Sequence, residues 1–287
     1  MNFNKITQNI LTFAKSLKTK LTIHQCIKVF GNKKDEIKSA YFINLDHELN
    51  RWKQFSKDAK RLKVKNNHML LDFCYRVSAV NGKELNLDTV SSEIIKKSFP
   101  LSDHYEIDPD PKLLSLINKE DIYIDLSKEE IAVALSHIDL WQKIINEKID
   151  YALILEDDIY FNKDFSETLN KAWKELPNNR SDGYKFDILY LSFLEVKGGM
   201  ERKKYSKHLY KPIKGIWWLS GYVLSYAGAK KILNERPIQG PVDLWLNHMF
   251  NKLDAYMTNV SIINQRQDYE SNNSWSVGKI YNKLPDK

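Results

Sequence analysis

The sequence of 287 residues predicts an α/β fold with a mostly parallel central sheet. Residues 39–80 read as a strand, an amphipathic helix and a second strand, and residues 151–155 form an apolar run directly after another amphipathic helix. Strands joined through helices lie parallel, and strands buried on both faces are continuously apolar. A hydrophobic fraction of 43% is enough for one large core. We expect one domain at residues 39–265, preceded by an arm and followed by a tail.

The first half of the chain supplies the unit that defines the sheet. The first strand reads SAYFINLD (39–46), the helix ELNRWKQFSKDAKRL (48–62) and the second strand FCYRVSAV (73–80), closed by the turn signal Asn81-Gly82. Residues 85–127 are less regular and indicate an insertion over the sheet. Ser127 and Glu130 then form a capping-box pattern, which predicts the start of a helix that ends near Lys148.

The second half predicts further elements around this unit. They are a helix near 165–175, a strand at 186–193, an aromatic strand turning into a helix at 215–233, and a helix within 240–253. Residues 197–214 carry seven cationic side chains, Lys203 and Lys204 among them, against Glu201 alone. They predict a basic loop that could be a lid over a diphosphate, a docking site for acidic groups or an ordinary solvated loop. Residues 266–287 are polar and predict a peripheral tail.

The positive charge of the chain is concentrated at its start. Residues 1–40 hold eight lysines against Asp35 and Glu36, whereas the other 247 residues hold 36 basic and 35 acidic side chains. Apolar residues recur there at helical spacing, at Ile6, Ile10, Phe13, Leu17 and Leu21. Residues 1–38 therefore predict a basic amphipathic arm that either lies on an anionic membrane or packs on its own domain. The near-neutral remainder argues against a nucleic-acid-binding protein, which needs a basic face on the folded domain.

Signals for targeting are weak in this sequence. No apolar segment approaches the roughly 20 residues that span a bilayer, and lysines interrupt any N-terminal signal peptide. Cys26 and Cys74 form neither a disulfide framework nor a metal-ligand spacing. We therefore expect a cytoplasmic protein, peripheral at the inner membrane if the arm binds there.

Three carboxylates, Glu156, Asp157 and Asp158, follow the apolar run at 151–155. They fall at the carboxyl end of a predicted strand, the edge at which open α/β sheets bind ligands. Clustered carboxylates repel one another unless a cation lies between them. Mg²⁺ and Mn²⁺ take oxygen ligands and keep positions open for substrate phosphates. The pattern indicates a metal site for a phosphate-bearing ligand, and an acidic helix start or surface turn is the alternative.

Together these segments resemble glycosyltransferase family 25, the lipopolysaccharide and lipooligosaccharide glycosyltransferases, which also include the collagen galactosyltransferases. Six segments occur in family order: FINLDHELNRW, VSAVNGKEL, a Leu-Ser-His helix, the Glu-Asp-Asp strand end, GYVLSYAGAKKIL and PVD. The resemblance covers residues 41 to about 246. It implies a GT-A-type, Rossmann-like domain that binds a nucleotide sugar. It also implies transfer of galactose or glucose, with inversion, from a UDP-sugar to a lipooligosaccharide or polysaccharide acceptor.

The resemblance further implies roles for individual residues. The nucleotide sugar would contact the first two strand ends and the acidic motif, at Asn44, Leu45, Arg51, Val80, Asn81, Gly82, Glu156 and Asp157. Arg51 would reach the diphosphate or lock the acidic loop, or would be a solvated helix residue. Asp158 would ligate Mn²⁺ or Mg²⁺ and bridge it to the diphosphate. Ser136 and His137 would support the carboxylates, although a lone helical histidine is also typical of a core.

The last candidates lie downstream of the acidic motif. An inverting transfer needs a base, and Asp243 lies between apolar residues that would desolvate it and raise its basicity; it could also cap a helix. Trp217, Trp218 and Tyr222 would stack on acceptor sugars or fill the core. His248 would be a metal ligand or part of an apolar helical pattern. A metal-dependent phosphohydrolase or nucleotidyltransferase could use the same acidic edge, but no phosphate loop accompanies it.

Overall fold

The computed structural model describes residues 25–117, 121–266, 268–269 and 275–281. The strands are β1 (Ser39–Asn44), β2 (Cys74–Ser78), β3 (Ile95–Lys96), β4 (Ser98–Pro100), β5 (Tyr123–Asp125), β6 (Tyr151–Glu156), β7 (Ile159–Phe161), β8 (Ile188–Tyr190), β9 (Leu194–Glu195), β10 (Glu201–Lys204), β11 (Leu209–Lys214), β12 (Ile216–Trp217), β13 (Gly221–Ser225), β14 (Ile238–Gln239), β15 (Ala255–Thr258) and β16 (Ile263–Gln265). The α-helices are α1 (Leu49–Ala59), α2 (Leu101–Ile107), α3 (Pro111–Ile117), α4 (Lys128–Asn146), α5 (Phe165–Glu175), α6 (Tyr226–Asn234), α7 (Val242–Asn247) and α8 (Gly278–Tyr281).

The central sheet has eight strands in the order β10-β11-β15-β8-β13-β6-β1-β2. β1 pairs in parallel with both β2 and β6, and β8 pairs in parallel with β15. β13 is antiparallel to its neighbours β6 and β8, and β11 is antiparallel to β15 and β10. Six strands of this sheet therefore share one direction, and the predicted α/β fold with a mostly parallel sheet is confirmed.

Helices cover both faces of the sheet, and the side chains of β6 alternate between them. Ala152 and Ile154 join the core that includes residues of α4 and α6. Leu153 and Leu155 join the core that includes residues of α1 and α5. Because both faces are covered, residues 151–155 must all be apolar, which is the run that marks this strand in the sequence.

The helix before β6 begins where the capping-box pattern predicts. Ser127 Oγ accepts a hydrogen bond from the backbone N–H of Glu130 at 3.1 Å, and Glu130 Oε2 accepts one from the N–H of Ser127 at 2.8 Å. α4 leads into β6 through a short turn, so the acidic triplet follows at the carboxyl end of that strand. The ends of β1 and β2 lie beside it because these three strands are parallel.

The described parts of the predicted arm and tail pack on the sheet domain. Ile27, Phe30 and Ile37 have no exposed surface and belong to the core on the α1 side. Val277 is equally buried in the core on the other face. Ser276 donates from its N–H and its hydroxyl to Glu130 Oε1, at 3.1 and 3.0 Å. The predicted amphipathic stripe at residues 6–21 lies outside the described residues.

The prediction that residues 197–214 form a loop is wrong, because most of this segment is β-strand. β10 and β11 form an antiparallel hairpin at the edge of the sheet, and β11 also pairs with β15. Exposed cationic side chains on an edge strand discourage pairing with another chain, which gives this charge a structural reason. In the portion of the chain that the structure describes, no helix has both the length and the hydropathy required to cross a membrane.

Candidate active site

A cavity of about 730 Å³ lies at the carboxyl ends of β1, β2 and β6. Its volume is within the range of small-molecule sites. Its carboxylates are Asp108, Glu129, Glu130, Glu156, Asp157, Asp158, Glu195 and Asp243, and its cationic side chains are Arg51, Lys83, Lys197 and Arg266. This excess of carboxylates favours a bound cation. Lys203 and Lys204 are exposed and do not line the cavity.

Asp157 is held by protein groups on both of its oxygens. The Arg51 guanidinium donates to Oδ1 and Asn44 Nδ2 donates to Oδ2, each at 2.7 Å. Asn44 is 1% exposed, and its own Oδ1 accepts from Arg76 Nε at 2.7 Å. Burial raises the pKa of Asp157 above its usual value, although the charge of Arg51 opposes that rise. Arg51 and Asn44 thus fix the acidic loop, and Asp157 is committed to them.

Glu156 is braced by a chain of hydrogen bonds that begins in the core. Trp141 Nε1 donates to the Tyr222 hydroxyl at 2.8 Å, and this hydroxyl lies 2.9 Å from His137 Nδ1. His137 Nε2 lies 3.2 Å from Glu156 Oε1. Since the Trp141 N–H can only donate, the Tyr222 hydroxyl is left to donate to Nδ1, which favours the tautomer with its proton on Nε2, facing Glu156. His137, 1% exposed, is placed to orient Glu156.

Asp158 has one carboxylate oxygen without a partner. Its Oδ1 is buried and finds no hydrogen-bond donor in the described chain. Burial, with the charges of Glu156 and Asp157 in support, raises the pKa of Asp158 well above its usual value. A buried carboxylate is costly unless a proton or a cation compensates it. The carboxylates of Glu156 and Asp158 therefore fit a hard divalent cation, which often binds one or two carboxylates and completes its shell with phosphates and water.

The protein does not supply a complete metal cage by itself. Among the described residues there is no cluster of three or more His, Cys, Asp or Glu side chains arranged to hold a metal ion. The commitment of Asp157 to Arg51 explains why the triplet offers only two carboxylates. The structure also corrects the metal role predicted for His248. This residue does not line the cavity, and its Nε2 lies 3.2 Å from the carbonyl oxygen of Asp103.

Asp243 lies in the first turn of α7 and lines the cavity. The cap of this helix is Pro241, so the alternative of Asp243 as the N-cap is not observed. Asp243 Oδ2 accepts from the N–H of Trp218 at 3.2 Å, and Oδ1 accepts from the N–H of Leu244 at 2.9 Å. Burial raises the pKa of Asp243 to about 6 despite these two donors. This carboxylate is ionised at neutral pH and more basic than a solvated one, as a general base requires.

The strand ends predicted to bind the nucleotide all line the cavity, at Asn44, Leu45, Val80, Asn81 and Gly82. Ser136 ties this region to α4, because its Oγ accepts from the N–H of Val80 at 2.9 Å and donates to the carbonyl of Ala132 at 2.7 Å. A Cβ on Gly82 would lie 2.8 Å from Glu129 Cα. Only glycine therefore permits the loop after β2 to approach the start of α4 so closely.

The three aromatic residues predicted to bind the acceptor have different positions. Trp217 and Trp218 line the cavity. Trp218 has a φ of 78°, a left-handed conformation that is uncommon for a bulky residue, and its N–H is the donor to Asp243. Tyr222 has no exposed surface and its hydroxyl is engaged with His137 and Trp141. The acceptor role predicted for Tyr222 is therefore corrected to a core role.

The lining residues that the sequence did not single out include His104, Asp108, Arg266, Tyr269, Trp275 and Tyr281. Two guanidinium groups lie over the Tyr269 ring, that of Arg51 at 5.0 Å and that of Arg266 at 4.9 Å from its centroid. The Arg266 side chain is 7% exposed, and its Nη1 is buried without a partner in the described chain. Such a group has the chemistry to donate a hydrogen bond to an anionic ligand. For the residues of the tail, the sequence signal that could have indicated a site was the presence of Arg, Tyr and Trp in an otherwise polar segment.

The fold and the site together describe an α/β protein with a cavity beside an acidic strand end, the edge of the sheet at which such proteins bind ligands. The chain belongs to glycosyltransferase family 25. The family described as "Glycosyltransferase family 25 (LPS biosynthesis protein)" matches residues 37–246. The predicted family is confirmed.

Curated relatives match this chain over part of their length. Procollagen galactosyltransferase 1 of Danio rerio is 28% identical over 190 residues, which are 64% of this chain and 28% of that protein. The probable inactive glycosyltransferase 25 family member 3 of Bos taurus is 30% identical over 130 residues, 44% of this chain and 21% of that protein. The chain thus spans less than a third of the length of either relative. Because one relative is described as inactive, activity here has to be argued from the site.

Among solved structures, a UDP-glucose pyrophosphorylase complexed with UDP-glucose aligns at 10% identity with a TM-score of 0.35. The alignment covers 80% of this chain and 90% of that chain. This score is too low to establish a shared topology.

Proposed function

We propose that this chain is an inverting, metal-assisted glycosyltransferase that moves a hexose, galactose or glucose, from a UDP-sugar to a hydroxyl of a lipooligosaccharide or polysaccharide. One observation carries the proposal: a single cavity holds the carboxylate of Asp158, whose Oδ1 is unpaired in the described chain, and the desolvated carboxylate of Asp243. The first suits a cation that binds a diphosphate, and the second suits removal of a proton. Membership of family 25 and the galactosyltransferases among the relatives support hexose transfer.

The donor would lie against the carboxyl end of β6. Glu156 and Asp158 would hold Mn²⁺ or Mg²⁺, which when bound neutralises the diphosphate and stabilises UDP as a leaving group. Arg266 would donate from Nη1 to a phosphate oxygen. The uridine would extend along the ends of β1 and β2, where Leu45 and Val80 line the cavity. Arg51 and His137 would act indirectly, by holding Asp157 and Glu156 in place.

Asp243 would be the general base. It would take the proton of the acceptor hydroxyl while the acceptor oxygen forms its bond to the anomeric carbon and the bond from that carbon to the phosphate oxygen breaks. Attack from the face opposite the leaving UDP inverts the anomeric configuration. The hydrogen bonds from Trp218 and Leu244 keep the carboxylate aimed into the cavity during this step.

We further propose that the enzyme works in the cytoplasm at the inner membrane face, where a glycolipid acceptor would be presented. The lysines of residues 1–38 would bind anionic lipid there, each contributing about 1 kcal/mol near the surface. This part of the proposal rests on charge and periodicity in the sequence.

A screen of nucleotide sugars by thermal unfolding tests the proposed function. UDP-galactose and UDP-glucose are added with Mn²⁺ or with EDTA, and ADP-glucose serves as a matched control for diphosphate binding. The true donor should raise the melting temperature only with Mn²⁺, since a ligand at 100 times its Kd stabilises by about 2.7 kcal/mol. Mass spectrometry then follows hexose transfer to bacterial oligosaccharides. Absence of both Mn²⁺-dependent stabilisation by any UDP-sugar and any product would refute the proposal.

A further inference from the structure

We propose that the cavity contains a second subsite, for a neutral saccharide, formed by His104, Asp108, Trp217 and Trp275, which we call the aromatic subsite. It lies where the insertion and the tail meet, and its four residues all line the cavity. The inference rests on the proposed function, for which the aromatic subsite would position the acceptor sugar.

His104 is the central residue of the aromatic subsite. Its ring stacks on Trp217, with centroids 5.5 Å apart and an interplanar angle of 23°, and lies 6.4 Å from the Trp275 ring. The side chain is 1% exposed, yet neither ring nitrogen has a hydrogen-bond partner in the described chain. Buried polar groups are nearly always paired, so two unpaired nitrogens at the wall of a cavity indicate a missing partner. Burial lowers the pKa of His104, which keeps one nitrogen a donor and the other an acceptor.

Asp108 adds a third unpaired polar atom beside the same indole. Its Oδ2 accepts from Trp217 Nε1 at 3.2 Å, while its Oδ1 is buried without a partner. A ligand that satisfies all three atoms must both donate and accept hydrogen bonds and must have a face that packs on aromatic rings. An anion would be repelled by Asp108, and an apolar ligand would leave the polar atoms unpaired. A pyranose ring has both the hydroxyls and the apolar face.

Trp275 extends the aromatic subsite toward solvent. It is 53% exposed and its ring stacks on Tyr281 at 5.4 Å and 28°. A large exposed aromatic at the mouth of a cavity is placed to contact a second sugar unit.

The backbone links the aromatic subsite to the proposed base, and both line the same cavity. Trp217 directly precedes Trp218, whose N–H donates to Asp243 Oδ2 at 3.2 Å. A sugar ring at Trp217 would therefore present a hydroxyl close to the carboxylate that is to deprotonate it. The donor and acceptor sites would then occupy the two ends of one cavity, with Asp243 between them.

The test uses His104→Phe in the full chain, which keeps an aromatic ring against Trp217 and removes both nitrogens. His68→Phe is the matched control, since His68 is an exposed histidine that also contacts an aromatic ring, Phe73. The probes are lactose and the methyl glycosides of galactose, glucose and N-acetylglucosamine, titrated by saturation-transfer NMR in the presence of UDP and the diamagnetic cation Mg²⁺. UDP affinity is measured in parallel by calorimetry.

We expect at least one probe to bind, and His104→Phe to raise its Kd about tenfold, which corresponds to about 1.4 kcal/mol. The Kd for UDP should stay within about twofold, and His68→Phe should change neither value. Trp275→Ala, a substitution at an exposed position, should also weaken the binding of the saccharide. If no probe binds the wild-type chain, or if His104→Phe binds the probe as tightly as the wild type does, the saccharide subsite is wrong.

The two proposals fail separately in this design. If the protein binds a saccharide through His104 but consumes no UDP-sugar, the aromatic subsite is supported and the proposed glycosyltransferase activity is refuted. Sugar transfer with an acceptor KM that His104→Phe does not change would refute the aromatic subsite alone.

Discussion

Replacing Asp243 by Asn should make the protein more stable and the enzyme much slower. Burial raises the pKa of Asp243 from 3.8 to about 6, so at pH 8 the folded state carries an ionised group that it disfavours. Two pKa units correspond to about 3 kcal/mol. Asn can accept only one of the hydrogen bonds from Trp218 and Leu244, which costs about 1–3 kcal/mol because one buried N–H loses its acceptor. The variant should therefore gain up to about 2 kcal/mol in free energy of unfolding at pH 8.

This gain has a defined pH dependence. A folded-state pKa above the unfolded value destabilises the wild type increasingly as the pH rises from about 4 to 6, and by a constant amount above that. The advantage of Asp243→Asn should thus shrink toward zero at pH 5. Urea unfolding at both pH values, with EDTA present, measures it, and Asp164→Asn at an exposed position is the control.

The same variant tests the catalytic role of Asp243. Loss of a general base should lower kcat by roughly 10²- to 10⁴-fold while UDP binding persists, and kcat of the wild type should rise with pH through about 6 and then level off. A variant that is less stable than the wild type at pH 8 would refute the desolvation argument. A near-normal kcat would remove Asp243 from the base role.

Three further predictions concern other parts of the chain. Tyr222→Phe should lower the free energy of unfolding in urea by about 1–3 kcal/mol, because it leaves the buried N–H of Trp141 without an acceptor. An unchanged unfolding midpoint would contradict the hydrogen-bond chain to Glu156. Replacing Lys203 and Lys204 by Ala should leave both substrate KM values unchanged, since these residues lie on an exposed edge hairpin; a raised KM would restore the lid that the charge pattern suggested. Removing residues 1–24 should abolish salt-sensitive pelleting with anionic liposomes; equal pelleting of the shortened and full chains would disprove the membrane arm.

Much of the fold could be predicted because its signals are local. The apolar run at 151–155, the capping box at Ser127 and the acidic triplet each follow from neighbouring residues, and parallel pairing then brings the ends of β1, β2 and β6 together. The edge hairpin escaped prediction because pairing of Leu209 and Tyr210 with β15 joins segments far apart in sequence. Composition alone gives no sign of such a partner.

The site, like the fold, contains residues that local sequence predicts and residues that only distant segments bring into place. The acceptor role predicted for Tyr222 is wrong because strand register decides which face of the sheet a residue occupies. Tyr222 pairs with Ile154, and this register places its side chain in the core. The residues His104, Arg266 and Trp275 escaped prediction because they reach the cavity from an irregular insertion and a polar tail. Their convergence depends on the course of the chain between elements, for which no periodicity exists.

Titration of UDP by calorimetry, with Mn²⁺ and with EDTA, tests most directly whether the acidic strand end binds a metal–diphosphate pair. Wild type, Asp158→Asn and the exposed control Asp164→Asn are compared at pH 7.5. We predict that the wild type and the control bind UDP only with Mn²⁺. Asp158→Asn should bind UDP at least about tenfold more weakly, because it lacks the carboxylate whose unpaired Oδ1 would hold the cation. Binding of UDP by Asp158→Asn with wild-type affinity and the same dependence on Mn²⁺ would contradict the account.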